Sequence, residues 1–167
     1  SNRYRFSIFD TSAANFESFI SRFKKEPFGH LNGYTSALVL FARYLAEKRL
    51  VLKDLCPSLT HCIVTAEMLF KEDLEVLQQQ FGVPVINEYG ASETGIIAIG
   101  KAGGFLHIDS SLLYVEILDE ANKPVTPGTS GKIVVTSLFN EAHPFIRYEI
   151  GDLGVLVYQN GLPVLSQ

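Results

Sequence analysis

The sequence predicts an α/β fold, a parallel β-α-β core followed by a mostly antiparallel β portion. Two patterns carry that reading. In the first half an apolar run at His61–Thr65, an amphipathic stretch at Lys71–Phe81 and a second apolar run at Val83–Asn87 succeed one another, in the order strand, helix, strand. After residue 95 the helical period disappears, and short apolar runs alternate with turn residues. The composition agrees, because 167 residues, 47% of them hydrophobic, suffice for one domain with a real core.

The elements follow in order. Asp10-Thr11-Ser12 offers helix caps, and Phe16, Phe19, Ile20 and Phe23 recur at helical spacing. Pro27 and Gly29 end that helix, and Asn32-Gly33 predicts a turn. Thr35 to about Lys48 is strongly apolar and predicts a buried helix. His61–Thr65 predicts a buried strand. Lys71–Phe81 predicts a helix with Leu74, Leu77 and Phe81 on one face and Gly82 as its C-cap. Val83–Asn87 is the next strand. A helical crossover between neighbouring strands implies parallel pairing and a right-handed connection. The loops at Thr65–Glu67 and Tyr89–Glu93 would then leave the C-terminal ends of strands, where open α/β sheets bind ligands. Beyond residue 95, Ile96–Ile99, Leu112–Leu118, Lys132–Leu138 and Gly154–Tyr158 predict strands. Asp119–Asn122, Pro127-Gly128 and Asn160-Gly161 punctuate them.

Composition excludes several functions. A net charge of −4 with scattered basic residues argues against a nucleic-acid surface. No apolar run approaches the roughly 20 residues that span a bilayer, so no membrane partner is expected. Two cysteines, Cys56 and Cys62, form neither a disulfide framework nor a zinc site, and a reducing cytoplasmic setting is the expectation. The four histidines, His30, His61, His107 and His143, are widely spaced and read as structural or surface residues.

Asn87-Glu88-Tyr89-Gly90-Ala91-Ser92-Glu93-Thr94-Gly95 concentrates a flat ring, a Gly, a hydroxyl and a carboxylate behind a strand. Such groups can stack on a base, admit close backbone approach, bond a phosphate and hold a metal ion. Arg147-Tyr148-Glu149-Ile150-Gly151-Asp152 offers a second carboxylate behind a Gly. Ordinary alternatives exist for each. Taken alone, Tyr89 reads as a half-buried tyrosine at a strand end, Asn87, Glu88, Ser92 and Thr94 as turn and cap residues opening a helix, and Gly151-Asp152 as a turn between strands.

At these positions the chain resembles the adenylate-forming superfamily. Tyr89, Gly90, Ser92 and Glu93 match its Tyr-Gly-x-(Ser/Thr)-Glu motif, and Tyr148, Gly151 and Asp152 match its Tyr-x-x-Gly-Asp motif. Supporting segments are Asn32–Ser36, Val64–Glu67, Phe105–Ile108 and Pro127–Lys132. Glu149 and Ile150 depart from the Arg and Thr that many members carry. The look is that of the phenylacetate–coenzyme A ligase branch, which includes relatives named for capsular polysaccharide biosynthesis. The resemblance implies a fragment of the large N-terminal domain of such an enzyme. Residues 1–95 would be an α/β part with adenine-binding loops. Residues 96–167 would be a β-rich part ending near the hinge to a missing C-terminal domain.

The resemblance also implies roles. Tyr89 would stack on adenine, with Thr65, Ala66, Glu67, Glu88 and Gly90 lining the nucleotide site. Asp152 would take the ribose hydroxyls. Ser92 and Glu93 would be catalytic, Ser92 at the α-phosphate and Glu93 as the Mg²⁺ ligand. Tyr34, Gly90 and Ala91 would line the acyl pocket. Core packing is the equal alternative for Tyr34, and an N-terminal helix position facing the dipole is the alternative for Glu67. Cofactors would be ATP/AMP and Mg²⁺, with coenzyme A or a carrier-protein thiol as acceptor and a small carboxylic acid as substrate. The phosphate loop of such enzymes is absent, since Gly100–Gly104 lacks the hydroxyls and following Lys. Ser1-Asn2 reads as the remnant of a cleaved tag, so the chain reads as a piece that is catalytically poor alone. A non-catalytic binding module that keeps the fold is the rival reading. A flavodoxin-like domain is a weaker third, lacking its Gly/Ser/Thr loop after the first strand.

Overall fold

The computed structural model describes residues 3–166; the reading of Ser1-Asn2 lies outside them. The chain divides into two compact units, Ser1–Ile86 and Asn87–Gln167.

In the first unit, α1 (Ala13–Lys25) starts where the Ser12 hydroxyl accepts from the Asn15 amide at 3.3 Å, which satisfies one orphan donor of the first turn. Its buried face is Phe16, Phe19, Ile20 and Phe23. It stops at Glu26, which is extended at φ −115° and ψ 136°, as the residue before a proline prefers. The turn expected at Asn32-Gly33 does not form. These residues lie in β1 (His30–Tyr34), in continuous parallel register with β2 (His61–Thr65) from His30↔His61 to Tyr34↔Thr65. The ladder satisfies backbone groups that a turn would leave to solvent, so tertiary pairing overrides the local Asn-Gly preference.

α2 (Thr35–Glu47) buries Leu38, Val39, Phe41, Ala42, Tyr44 and Leu45. A short α3 (Leu52–Leu55) and α4 (Lys71–Phe81) complete the helices. α4 ends at Gly82 in the left-handed conformation, φ 66°, as a C-cap glycine does. Rings from three helices meet: Phe16 lies 5.6 Å and Phe81 6.1 Å from Phe41, centroid to centroid. Such pairs add roughly 0.5–1.5 kcal/mol beyond their buried area. Cys56 and Cys62 are free and buried. Burial pushes the Cys62 thiol up to about 12, so it stays an inert apolar filler.

β3 (Val85–Ala91) carries the chain into the second unit, where β4 (Gly95–Lys101), β5 (Leu106–Ile108), β6 (Leu113–Leu118), β7 (Ser130–Ser137), β8 (Tyr148–Gln159) and β9 (Leu162–Ser166) follow. The strand order there is β3-β4-β5-β9-β8-β7-β6. The pairs β4/β5, β5/β9, β6/β7, β7/β8 and β8/β9 are antiparallel. This is the mixed α/β architecture that the sequence predicts. Ile97, Leu113, Ile117, Ile133, Val135, Leu156 and Leu165 form the core of this unit. In this unit two strands escape the sequence patterns: β5 is only three residues long, and β9 follows the Asn160-Gly161 turn with Pro163 inside it. Among the described residues no helix is long and apolar enough to cross a membrane.

Candidate nucleotide site

The first motif is a hairpin rather than a loop feeding a helix. Tyr89, Gly90 and Ala91 are the last residues of β3, Ser92, Glu93 and Thr94 make the turn, and Gly95 opens β4. No helix follows, so capping does not account for Ser92 and Thr94. Gly90 is required for proximity: a Cβ there would lie 2.5 Å from the Gly95 carbonyl oxygen. Tyr89 and Ala91 pack against the core of the unit, while Ser92 and Glu93 are exposed at the tip. Thr94 is buried, and its hydroxyl has no hydrogen-bond partner. Glu88 is half-buried beside Tyr89.

The second motif is also strand, not turn. Tyr148 opens β8, and Asp152 lies inside it. The register with β7 shifts here: Lys132 faces Leu153, yet Val134 faces Glu149. Two β7 steps therefore oppose four on β8, a bulge of two extra residues. Gly151 supplies the backbone it needs, at φ 90°, a conformation natural only to glycine. Arg147, just before the strand, is left-handed at φ 49° and is held there from two sides. Its amide donates to Thr136 Oγ1 at 3.0 Å, and its guanidinium donates to both Glu116 oxygens at 3.1 and 3.3 Å. Such a bidentate fork fixes orientation as well as contributing energy.

The two motifs meet through reciprocal hydrogen bonds. Tyr89 Oη donates to Asp152 Oδ2 at 2.7 Å, and Tyr148 Oη donates to Glu93 Oε1 at 3.1 Å. Each motif thus lends a tyrosine to the other's carboxylate. Burial, then the Asp152 carboxylate, raises the Tyr89 phenol well above the ordinary tyrosine range, so it stays a donor throughout the physiological range. Glu93 raises Tyr148 likewise. Phe145 braces Tyr148 edge-on at 5.1 Å.

In the first unit, Tyr34 and Thr65 face each other at the ends of β1 and β2, and Tyr34 is 49% exposed, so core packing is not its role. Ala66 is left-handed at φ 68°, a strain of about 1–2 kcal/mol for an alanine. Glu67 does face a helix N-terminus, but that of α2 rather than α4. Its carboxylate accepts from the Ser36 amide at 2.6 Å and the Ser36 hydroxyl at 3.0 Å, and its carbonyl accepts from Thr35 at 3.2 Å. His30 and His61, far apart in sequence, stack at 5.3 Å with 6° between ring planes. Among the described residues no group of three or more His, Cys, Asp or Glu is placed to hold a metal.

Sequence reasoning missed four partners: the Tyr148 hydroxyl, Ser36, and the Glu116 and Thr136 anchors of Arg147. Only Ser36 had a local signal, a serine in the first turn of a predicted helix.

No protein-family model matches this chain. It is 26% identical to Protein CapK of Staphylococcus aureus over 166 residues, 99% of this chain and 34% of that protein. It is 31% identical to the phenylacetate-coenzyme A ligase of Thermus thermophilus over 109 residues, 61% of this chain and 24% of that one. Its fold superposes on 2-hydroxyisobutyryl-CoA ligase, solved in complex with 2-HIB-AMP and CoA, with a TM-score of 0.82 at 18% identity, covering 97% of this chain and 37% of the ligase. The chain spans about a third of CapK and less of the phenylacetate ligase.

Proposed function

We propose that this chain is a member of the adenylate-forming superfamily, as its likeness to CapK, to the phenylacetate ligase and to the 2-hydroxyisobutyryl-CoA ligase fold supports, and that it is the nucleotide- and acyl-binding part of an ATP-dependent carboxylic acid–thiol ligase of the phenylacetate–coenzyme A ligase type. The observation that carries the reading is the reciprocal pair Tyr89–Asp152 and Tyr148–Glu93, which gathers both motifs of the second unit at one place.

In the whole protein a carboxylate oxygen of a small acid attacks the α-phosphorus of ATP. The bond to pyrophosphate breaks, and an acyl-adenylate forms. A thiol sulfur, of coenzyme A or a carrier protein, then attacks the acyl carbon and displaces AMP. The 2-HIB-AMP and CoA bound to the structural relative support adenylate and coenzyme A as ligands. Tyr89 offers the adenine a ring whose edge is pinned through its hydroxyl. Asp152, aimed by the bulge at Gly151, receives the ribose hydroxyls. Ser92 bonds the α-phosphate. In the second unit, Gly90 and Ala91 are assigned to the acyl group and Glu88 to the nucleotide; in the first unit, Tyr34 is assigned to the acyl group and Thr65, Ala66 and Glu67 to the nucleotide. The strain at Ala66 supports a functional loop there, because sparsely populated backbone persists where a site requires it.

Magnesium fits the donor set. Glu93 is an exposed hard-oxygen donor on a hairpin tip, and Mg²⁺ takes one or two carboxylates plus substrate phosphates. When bound, it neutralises charge at the α-phosphate. The setting proposed is cytoplasmic. In the full-length protein, Glu93→Ala should leave folding intact and lower acid-dependent pyrophosphate exchange by on the order of 10²-fold or more. Exchange at the wild-type rate would refute the metal role.

A further inference from the structure

We infer that Tyr148 is a positioning residue for Glu93, holding its carboxylate in the orientation in which it meets the metal–nucleotide complex. The inference rests on the reading of Glu93 as the metal ligand. It adds a residue whose place in the motif match assigned it no task.

Geometry argues it step by step. Glu93 stands on a three-residue turn, exposed, and a free glutamate there would sample many rotamers. The Tyr148 hydroxyl fixes one of its oxygens at 3.1 Å. A carboxylate has about four lone-pair sites, so one hydrogen bond restrains Glu93 and leaves room for a cation. Tyr148 is itself immobilised. Its ring meets Phe145 at 5.1 Å, and its backbone follows directly on Arg147. That residue is locked at φ 49° by Thr136 on β7 and Glu116 on β6. The restraint therefore runs from two core strands through Arg147 and Tyr148 to a side chain on the hairpin tip. Partners that orient a metal ligand typically account for about 10–100-fold in metal affinity or activity. The exposure of this pair sets the expectation at the lower end.

The test uses the full-length protein and Tyr148→Phe, which keeps the ring and its contact with Phe145. Two quantities are read: Mn²⁺ binding in the presence of a non-hydrolysable ATP analogue, by electron paramagnetic resonance, and the Mg²⁺ dependence of pyrophosphate exchange. The expected result is Mn²⁺ affinity weaker by about tenfold, a matching rise in half-saturating Mg²⁺, and turnover at saturating metal within about twofold of wild type. Thr136→Val, which removes the acceptor beneath Arg147, should move both readings the same way by less. Unchanged metal affinity in Tyr148→Phe overturns the inference, whether or not turnover falls. If Glu93→Ala is defective in that same experiment, the functional reading survives the loss. If Glu93→Ala also binds Mn²⁺ and turns over like wild type, the functional reading falls with it.

Discussion

Replacing Gly90 by alanine should be costly for a steric reason, not because a flexible hinge is lost. The added Cβ would lie 2.5 Å from the Gly95 carbonyl oxygen, 3.1 Å from Ile96 Cα and 3.2 Å from the Gly95 carbonyl carbon. Comfortable contact needs about 3.5–4.0 Å, so β3 and β4 would have to part by about 1 Å. All three obstructing atoms are backbone, and no rotamer change relieves them. Overpacking costs typically 1–3 kcal/mol, and a backbone obstruction belongs near the top, about 3 kcal/mol. At about 2–4 °C per kcal/mol for a chain of this size, the thermal midpoint should fall by about 6–12 °C.

Two other glycines calibrate the result. Gly29 has nothing within 4 Å of a Cβ and no positive φ, so Gly29→Ala should stay within about 0.5 kcal/mol of wild type. Gly95 also has open space but sits at φ 73°, so Gly95→Ala should cost about 1–2 kcal/mol. Calorimetric melts of the three variants should rank Gly90 worst, then Gly95, then Gly29. A Gly90→Ala protein as stable as Gly29→Ala would show that the hairpin does not close this tightly.

The raised Tyr89 phenol makes alkaline stability informative. A phenol whose pKa is raised by folding stabilises fully below the unfolded value near about 10, and that contribution is lost as pH climbs above it. By ultraviolet titration Tyr89 should ionise last of the seven tyrosines, and Tyr89→Phe should flatten the loss of stability above pH about 10; an unchanged slope sinks the assignment. Glu67→Ala removes the cap on α2 and should cost about 1–2 kcal/mol in denaturant midpoint. Glu67→Gln, which keeps an acceptor for the Ser36 amide, should lose less, and equal losses would contradict the capping role.

Local chemistry made some elements readable and hid others. Strand β2 and helix α4 were legible to the residue because an unbroken apolar run and a helical period ending in a glycine C-cap depend on neighbours in sequence. β1 was not, since Asn32-Gly33 signals a turn and only the partner strand overrules it. Both motif glycines were visible as punctuation, Gly90 read within a loop and Gly151 with a turn as its ordinary alternative. Gly90 admits a neighbouring backbone and Gly151 serves a bulge, and both needs arise from strands that lie elsewhere in sequence. The tyrosine–carboxylate bonds span 63 and 55 residues, beyond any periodicity. The motif match nominated Tyr89, Glu93 and Asp152, while the partner of each hydroxyl needed coordinates.

The exchange of tyrosines between the motifs also bears on how such a segment changes over generations. Because Tyr89 serves Asp152 and Tyr148 serves Glu93, neither stretch is self-sufficient. A variant of one is judged by the other, so substitutions in the two are non-additive, as residues in one hydrogen-bonded network are. A chimaera that imports the hairpin alone from a relative severs both bonds at once wherever the donor's partner residues differ. One that imports the hairpin and the start of β8 together inherits the pairing intact. The heritable unit is the cross-laced pair, although about sixty residues of sequence separate its halves.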